Sequence, residues 1–200
     1  TYSVTVTNAD GCEASTSATV IVNPLPTPAI SGDLEICDGE TTTLTATGGT
    51  SYEWNTGATT ASINVSPSTT KTYSVTVTNA DGCEASTSAT VNVNPLPTPV
   101  ISGDLEICDG ETTTLTASGG TSYTWSTGAT TASINVSPNT TTTYSVTVTN
   151  ADGCEASTSA MVIVNPLPTP SISGDLEICD GETTTLTASG GTSYEWNTGA

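Results

Sequence analysis

Apolar and polar residues alternate one by one along much of this chain. Tyr73, Val75 and Val77 are interleaved with Ser74, Thr76 and Thr78; Ala89, Val91 and Val93 are interleaved with Thr90 and Asn92. A period of two predicts half-buried strands, one face wet and the other against a core. Between the two runs stands Asn79-Ala-Asp-Gly82, which is turn chemistry, so the stretch reads as a β-hairpin. The same hairpin begins at Thr1, Thr72 and Thr143, and its cysteine falls at 12, 83 and 154. The intervals are 83 − 12 = 71 and 154 − 83 = 71, so the chain is a tandem array of one unit.

Asn23-Pro-Leu-Pro-Thr-Pro28 recurs at 94–99 and 165–170. Proline at every second position removes alternate N–H donors, which excludes a central strand and favours an extended, semi-rigid spacer. These spacers predict the domain boundaries. Residues 1–23 are the last strands of a truncated unit, 27–94 and 98–165 are complete units, and 169–200 begins a further one. Both ends fall inside a unit, so the sequence is expected to be a window on a longer protein.

Within 27–94 the pattern predicts a strand over 29–37 with a kink at Ser31-Gly32, then a turn at Asp38-Gly-Glu40. A strand over 41–47 points Leu44 and Ala46 inward, and Gly48-Gly49 turns the chain. The next strand, 51–55, sets Tyr52 and Trp54 on one face; 61–67 follows with Ala61, Ile63 and Val65 inward. Six or seven short strands with frequent turns predict an all-β fold of tandem β-sandwiches. The copies differ at Ile21/Asn92/Ile163, Glu53/Thr124 and Lys71/Thr142, all outward in this reading. The predicted core includes Tyr52, Trp54, Tyr73, Val75, Tyr123, Trp125 and Tyr144.

Charge narrows the function. Twenty acids against one base, Lys71, give a formal charge of −19, which excludes a nucleic-acid binder because that needs a basic patch. No run approaches the roughly 18 apolar residues of a membrane span. Without histidine, neither a Ser–His nor a Cys–His nucleophile can be assembled. Asp33, Glu35, Asp38 and Glu40 fall within eight residues, and carboxylate oxygens suit a hard cation. Calcium is therefore the one candidate cofactor, although no known calcium-loop spacing is present. The group recurs in every unit, which favours a structural role over catalysis. Tyr52 and Trp54 could stack on a sugar, but their place on one face of a central strand fits core packing better.

Cys37-Asp-Gly-Glu-Thr-Thr-Thr-Leu-Thr-Ala, Gly-Gly-Thr-Ser-Tyr-Glu-Trp-Asn-Thr-Gly-Ala-Thr-Thr and Thr-Tyr-Ser-Val-Thr-Val-Thr-Asn-Ala-Asp-Gly-Cys83 together resemble a bacterial immunoglobulin-like repeat. The type occurs in very long surface and secreted adhesins of Bacteroidota, including proteins related to gliding motility. The resemblance spans nearly the whole chain. It implies immunoglobulin-like domains, secretion, often by a type IX system, and a place in a stalk outside the cell.

A unit of this size buries only roughly 60% of its unfolded surface and needs reinforcement. Two cysteines per unit offer it. An antibody-like bridge is excluded, because Cys83 lies ten residues after Tyr73 rather than two. Four strands separate the Cys37 turn from the Cys83 turn, and an even number returns the chain to the same pole. The expected pairs are therefore Cys37–Cys83 and Cys108–Cys154. A fifth crossing near Ala58–Thr60 would instead place the two at opposite poles and favour bridges between neighbouring units, such as Cys37 to Cys154. Paired cysteines imply an oxidising, extracytoplasmic setting. The function expected is a structural stalk or filament, with neighbouring repeats, and other copies laterally, as partners. Its rival is a repeated carbohydrate-binding module acting by avidity.

Overall fold

The computed structural model describes residues 1–198 of the 200-residue chain. Two compact units, Thr1–Pro95 and Leu96–Ala200, divide it within the second proline stretch. Among the described residues no helix is long and apolar enough to cross a membrane.

The first unit opens with a hairpin of β1 (Tyr2–Thr7) and β2 (Glu13–Ala18). After the spacer come β3 (Ala29–Ser31), β4 (Glu35–Cys37), β5 (Thr42–Thr47), β6 (Ser51–Trp54), β7 (Ser62–Val65), β8 (Lys71–Thr78) and β9 (Glu84–Asn94). They form two sheets, ordered β3-β5-β7 and β4-β9-β8-β6. Every pairing is antiparallel except β4 with β9, which run parallel with Cys37 opposite Asn94. One core lies between the sheets. Leu44, Ala46, Ile63 and Val65 from the first meet Ile36, Trp54, Tyr73, Val75, Val77 and Val91 from the second. This arrangement is an immunoglobulin-like β-sandwich, with the entering strand split between both sheets.

Gly32 makes that split. The predicted kink is a change of sheet: β3 bonds β5, and three residues later β4 bonds β9. The glycine has φ +143°, and a Cβ there would stand 2.3 Å from the Thr43 carbonyl oxygen. Only a residue without Cβ lets the chain pass so close.

The second unit repeats the plan. Its strands are β10 (Val100–Ser102), β11 (Glu106–Cys108), β12 (Thr113–Ser118), β13 (Ser122–Trp125), β14 (Ser133–Val136), β15 (Thr142–Thr149) and β16 (Glu155–Asn165). The sheets are ordered β10-β12-β14 and β11-β16-β15-β13, around Ile107, Leu115, Trp125, Val146, Val148 and Val162. A two-stranded remainder, β17 (Ser171–Ser173) with β18 (Thr187–Ser189), follows.

The alternating pattern misplaces one residue. Ala61 is exposed, although Ile63 and Val65 face inward. Its carbonyl accepts the Ala46 N–H at 2.8 Å, but at the rim of the sheet, where solvent reaches the methyl group. Ala58, three residues earlier, packs against the core instead.

Candidate functional site: the spacer clasp and the cysteines

The aromatic residues serve the core. Trp54 is 2% exposed, and its indole N–H donates to the Thr60 carbonyl at 2.9 Å; Trp125 does the same to Thr131. Tyr52 and Tyr123 are half-buried, and each hydroxyl donates to a glycine carbonyl three residues back, at 3.0 Å. Tyr73 and Val75 are buried, whereas Tyr144 is only half-buried. Lys71 explains part of that difference, because its ammonium lies 5.5 Å from the Tyr73 ring centre. Thr142, at the matching position, is too short to cover Tyr144.

The acidic group lines a shallow cleft, with Asp33, Glu35 and Glu40 around Thr41–Thr43. Part of its oxygen complement is engaged by the backbone. Glu40 Oε2 accepts the Cys37 N–H at 2.8 Å, and the buried Thr42 hydroxyl donates to the Asp33 carbonyl at 2.9 Å. Asp38 contributes its N–H to the Asn94 carbonyl at 2.9 Å. The Glu40 bond closes the turn between β4 and β5, the Thr42 bond ties β5 to the loop before β4, and the Asp38 bond extends the β4–β9 ladder; the same set recurs at Glu111, Thr113 and Asp109. Among the described residues no group of three or more His, Cys, Asp or Glu side chains is arranged to hold a metal ion.

The spacer of the first unit is fastened to the sandwich that follows it. Asn79, in the β8–β9 turn, accepts the N–H groups of Asp81 and Cys83 on Oδ1, both at 3.0 Å. That locks the turn and aims its Nδ2 at the Pro24 carbonyl, 2.9 Å away. Pro26 is buried. At the far end, Gly48 lets the chain lie against its neighbour: a Cβ there would be 2.3 Å from the Thr27 carbonyl oxygen. The prolines mark the spacer in the sequence, but nothing there marks this clasp. The signal was the asparagine heading every Asn-Ala-Asp-Gly turn, whose second function only the fold discloses.

The cysteines require a correction. Cys83 and Cys108 are free thiols, so neither Cys37–Cys83 nor Cys108–Cys154 is formed in this structure. Cys37 is registered with Asn94 at one end of β9, and Cys83 immediately precedes Glu84 at the other. Eleven residues at about 3.3 Å each separate those poles by about 35 Å, whereas a disulfide needs Cα atoms within about 7 Å. The parity count failed because β6 and β7 run the same way. Residues 55–60 carry the chain back across the sandwich outside both sheets. Cys37 and Cys154 are the two cysteines in disulfide linkage, and Cys12 and Cys179 are also free.

No family model matches this chain, and neither does any curated protein. Among solved structures, it is similar to the three N-terminal domains of the bacteriophage RB49 highly immunogenic outer capsid protein. That match has 19% identity over 82% of this chain and 69% of the other, with a TM-score of 0.40. A Ca2+-stabilized adhesin of an ice-binding Antarctic bacterium matches at 19% identity over 86% and 58%, TM-score 0.39. Titin domains I67–I69 match at 13% identity over 84% and 77%, TM-score 0.36.

Proposed function

We propose that this chain is a segment of a structural stalk or filament of a bacterial adhesin, outside the cell, and not an enzyme. The observation that carries this reading is the clasp. A spacer held by Asn79 at Pro24, and closed over by Gly48 at Thr27, is a built joint rather than a loose tether. Repeating such a joint makes a chain whose output is reach. The disulfide linkage at Cys37 and Cys154 supports an oxidising compartment. Formal charge of −19 keeps copies soluble and apart. Resemblance to Bacteroidota surface repeats supports secretion by a type IX route.

The eleven residues of β9 span about 35 Å from pole to pole, and the fastened spacer adds only a few ångströms more, so each copy contributes roughly 40 Å. Chains of two, four and six copies, imaged by electron microscopy, should lengthen linearly by about that increment. A length that does not grow with copy number defeats the reading. The glycan-binding alternative needs an exposed aromatic platform, and Trp54 is buried. A chain of two copies is expected to leave a glycan array blank.

A further inference from the structure

Residues 1–18 repeat 72–89 without a change, and residues 169–198 repeat 27–56 with two. In the first sandwich those stretches are the two halves of one interface. β8 bonds β6 from Ser51↔Thr78 to Trp54↔Val75, and β9 bonds β4 from Glu35↔Asn92 to Cys37↔Asn94. The apolar side chains of both halves share the core. Elsewhere in the chain each half presents its apolar side to solvent. On the β1–β2 hairpin Val4 and Val6 are 53% and 62% exposed, although their counterparts Val75 and Val77 are buried; Val20, the counterpart of buried Val91, is exposed too. Residues 169–198 expose Ile178, Leu186 and Tyr194, the counterparts of Ile36, Leu44 and Tyr52. Contiguous apolar patches mark interaction surfaces. Here the repeat itself specifies what fits each patch.

We propose that the β1–β2 hairpin of one copy of this chain docks on residues 169–198 of a second copy and completes a sandwich there. The pairing follows from the intact domain. Ser193 to Trp196 lie against Thr7 to Val4, and Glu177 to Cys179 lie against Ile21 to Asn23. Tyr2, Val4, Val6 and Val20 then close over Ile178 and Leu186. The hairpin needs no change of register, because Tyr2↔Ala18 already matches Tyr73↔Ala89. No counterpart of β7 is supplied. That strand is an edge bonded only to β5, so the completed domain forgoes an edge and not an interior strand. The two surfaces differ, so the contact is heterologous and grows head to tail past the dimer, into rings or filaments. This self-association goes beyond the stalk reading and does not rest on it.

The test takes the 200-residue chain, isolated as covalent monomer under non-reducing conditions, to sedimentation equilibrium over a wide range of concentrations. The expected result is a mass that climbs from monomer through dimer and trimer. Amide exchange at Ile178 and Leu186 should slow as it climbs. Val6→Asp, on the hairpin face, and Leu186→Asp, on the receiving surface, should each remain monomeric. Both residues are exposed in the single chain, so neither substitution disturbs a sandwich core. An equimolar mixture of the two variants retains one sound pair of surfaces and should stop at the dimer. A mass fixed at monomer or dimer in the unsubstituted chain, slowed exchange at Ile178 and Leu186 without a rise in mass, or assembly that survives Val6→Asp would overturn the proposal. Mass is read without reference to length, so this result and the imaging result can fail separately.

Discussion

Residues 27–56 and 169–198 have nearly the same sequence and very different structures. They differ only at Ala29/Ser171 and Thr47/Ser189. In the first copy Ile36 and Leu44 are 5% and 0% exposed; in the second, Ile178 and Leu186 are 49% and 40% exposed. The counterparts of β4 and β6 are not strands at all, and β5 shrinks from six residues to the three of β18. Among the described residues no counterpart of β9 bonds the entering strand of the second copy, and none of β8 bonds its tryptophan strand. By contrast, residues 1–18, identical to 72–89, keep their full hairpin ladder from Tyr2↔Ala18 to Thr7↔Glu13. Yet Tyr2 is 72% exposed and Tyr73 is 3% exposed. A hairpin with a strong turn closes on its own, whereas strands paired over long sequence distances exist only with the whole sandwich.

The strongest way to break this contrast is to supply the missing partners. Appending the sequence of residues 57–94 after residue 198 should bury Ile178 and Leu186 and slow their amide exchange by about a thousandfold or more. Unchanged exchange would mean that partners are not what the second copy lacks. Next in size, Trp54→Ala should destabilise the first sandwich by about 3–5 kcal/mol and leave the Thr60 carbonyl without its donor. Denaturation followed by Trp125 emission should report the second sandwich unaffected. Gly32→Ala should cost on the order of 2–4 kcal/mol through its collision with Thr43. Gly174→Ala, in the open copy, should leave the melting temperature unchanged, and an equal loss at both sites would refute the comparison. The smallest effect is Lys71→Thr, which uncovers Tyr73 as Tyr144 is uncovered; calorimetry should show a loss of about 0.5–1 kcal/mol.

Much of the fold was readable from residue order, because the alternation of Tyr73, Val75 and Val77 and the outward substitutions at Glu53 and Lys71 are local statements about facing. The kink at Gly32 was readable too, but not that the two sides of it join different sheets. Strand direction was the missing quantity. The pattern locates β6 and β7 without revealing that both run the same way, and that fact moves Cys83 to the far pole from Cys37. Ala61 failed for a related reason, since period two describes a face and not where the opposing sheet ends. The clasp stayed hidden because Asn79 has an adequate local explanation, its bonds to Asp81 and Cys83, that masks its bond to Pro24.

The parallel pairing of β4 with β9 has a mechanical corollary. The chain enters the sandwich near β4 and leaves it from β9, and the two run side by side in the same direction. Pulling the ends of a domain apart therefore slides these strands past one another instead of peeling them. The bonds from Asn92 N to the Leu34 carbonyl and from Asp38 N to the Asn94 carbonyl, with the ladder between them, are strained together in shear. Rupture then demands their simultaneous loss, so a domain wired this way resists stretching more than a hairpin that unzips one rung at a time.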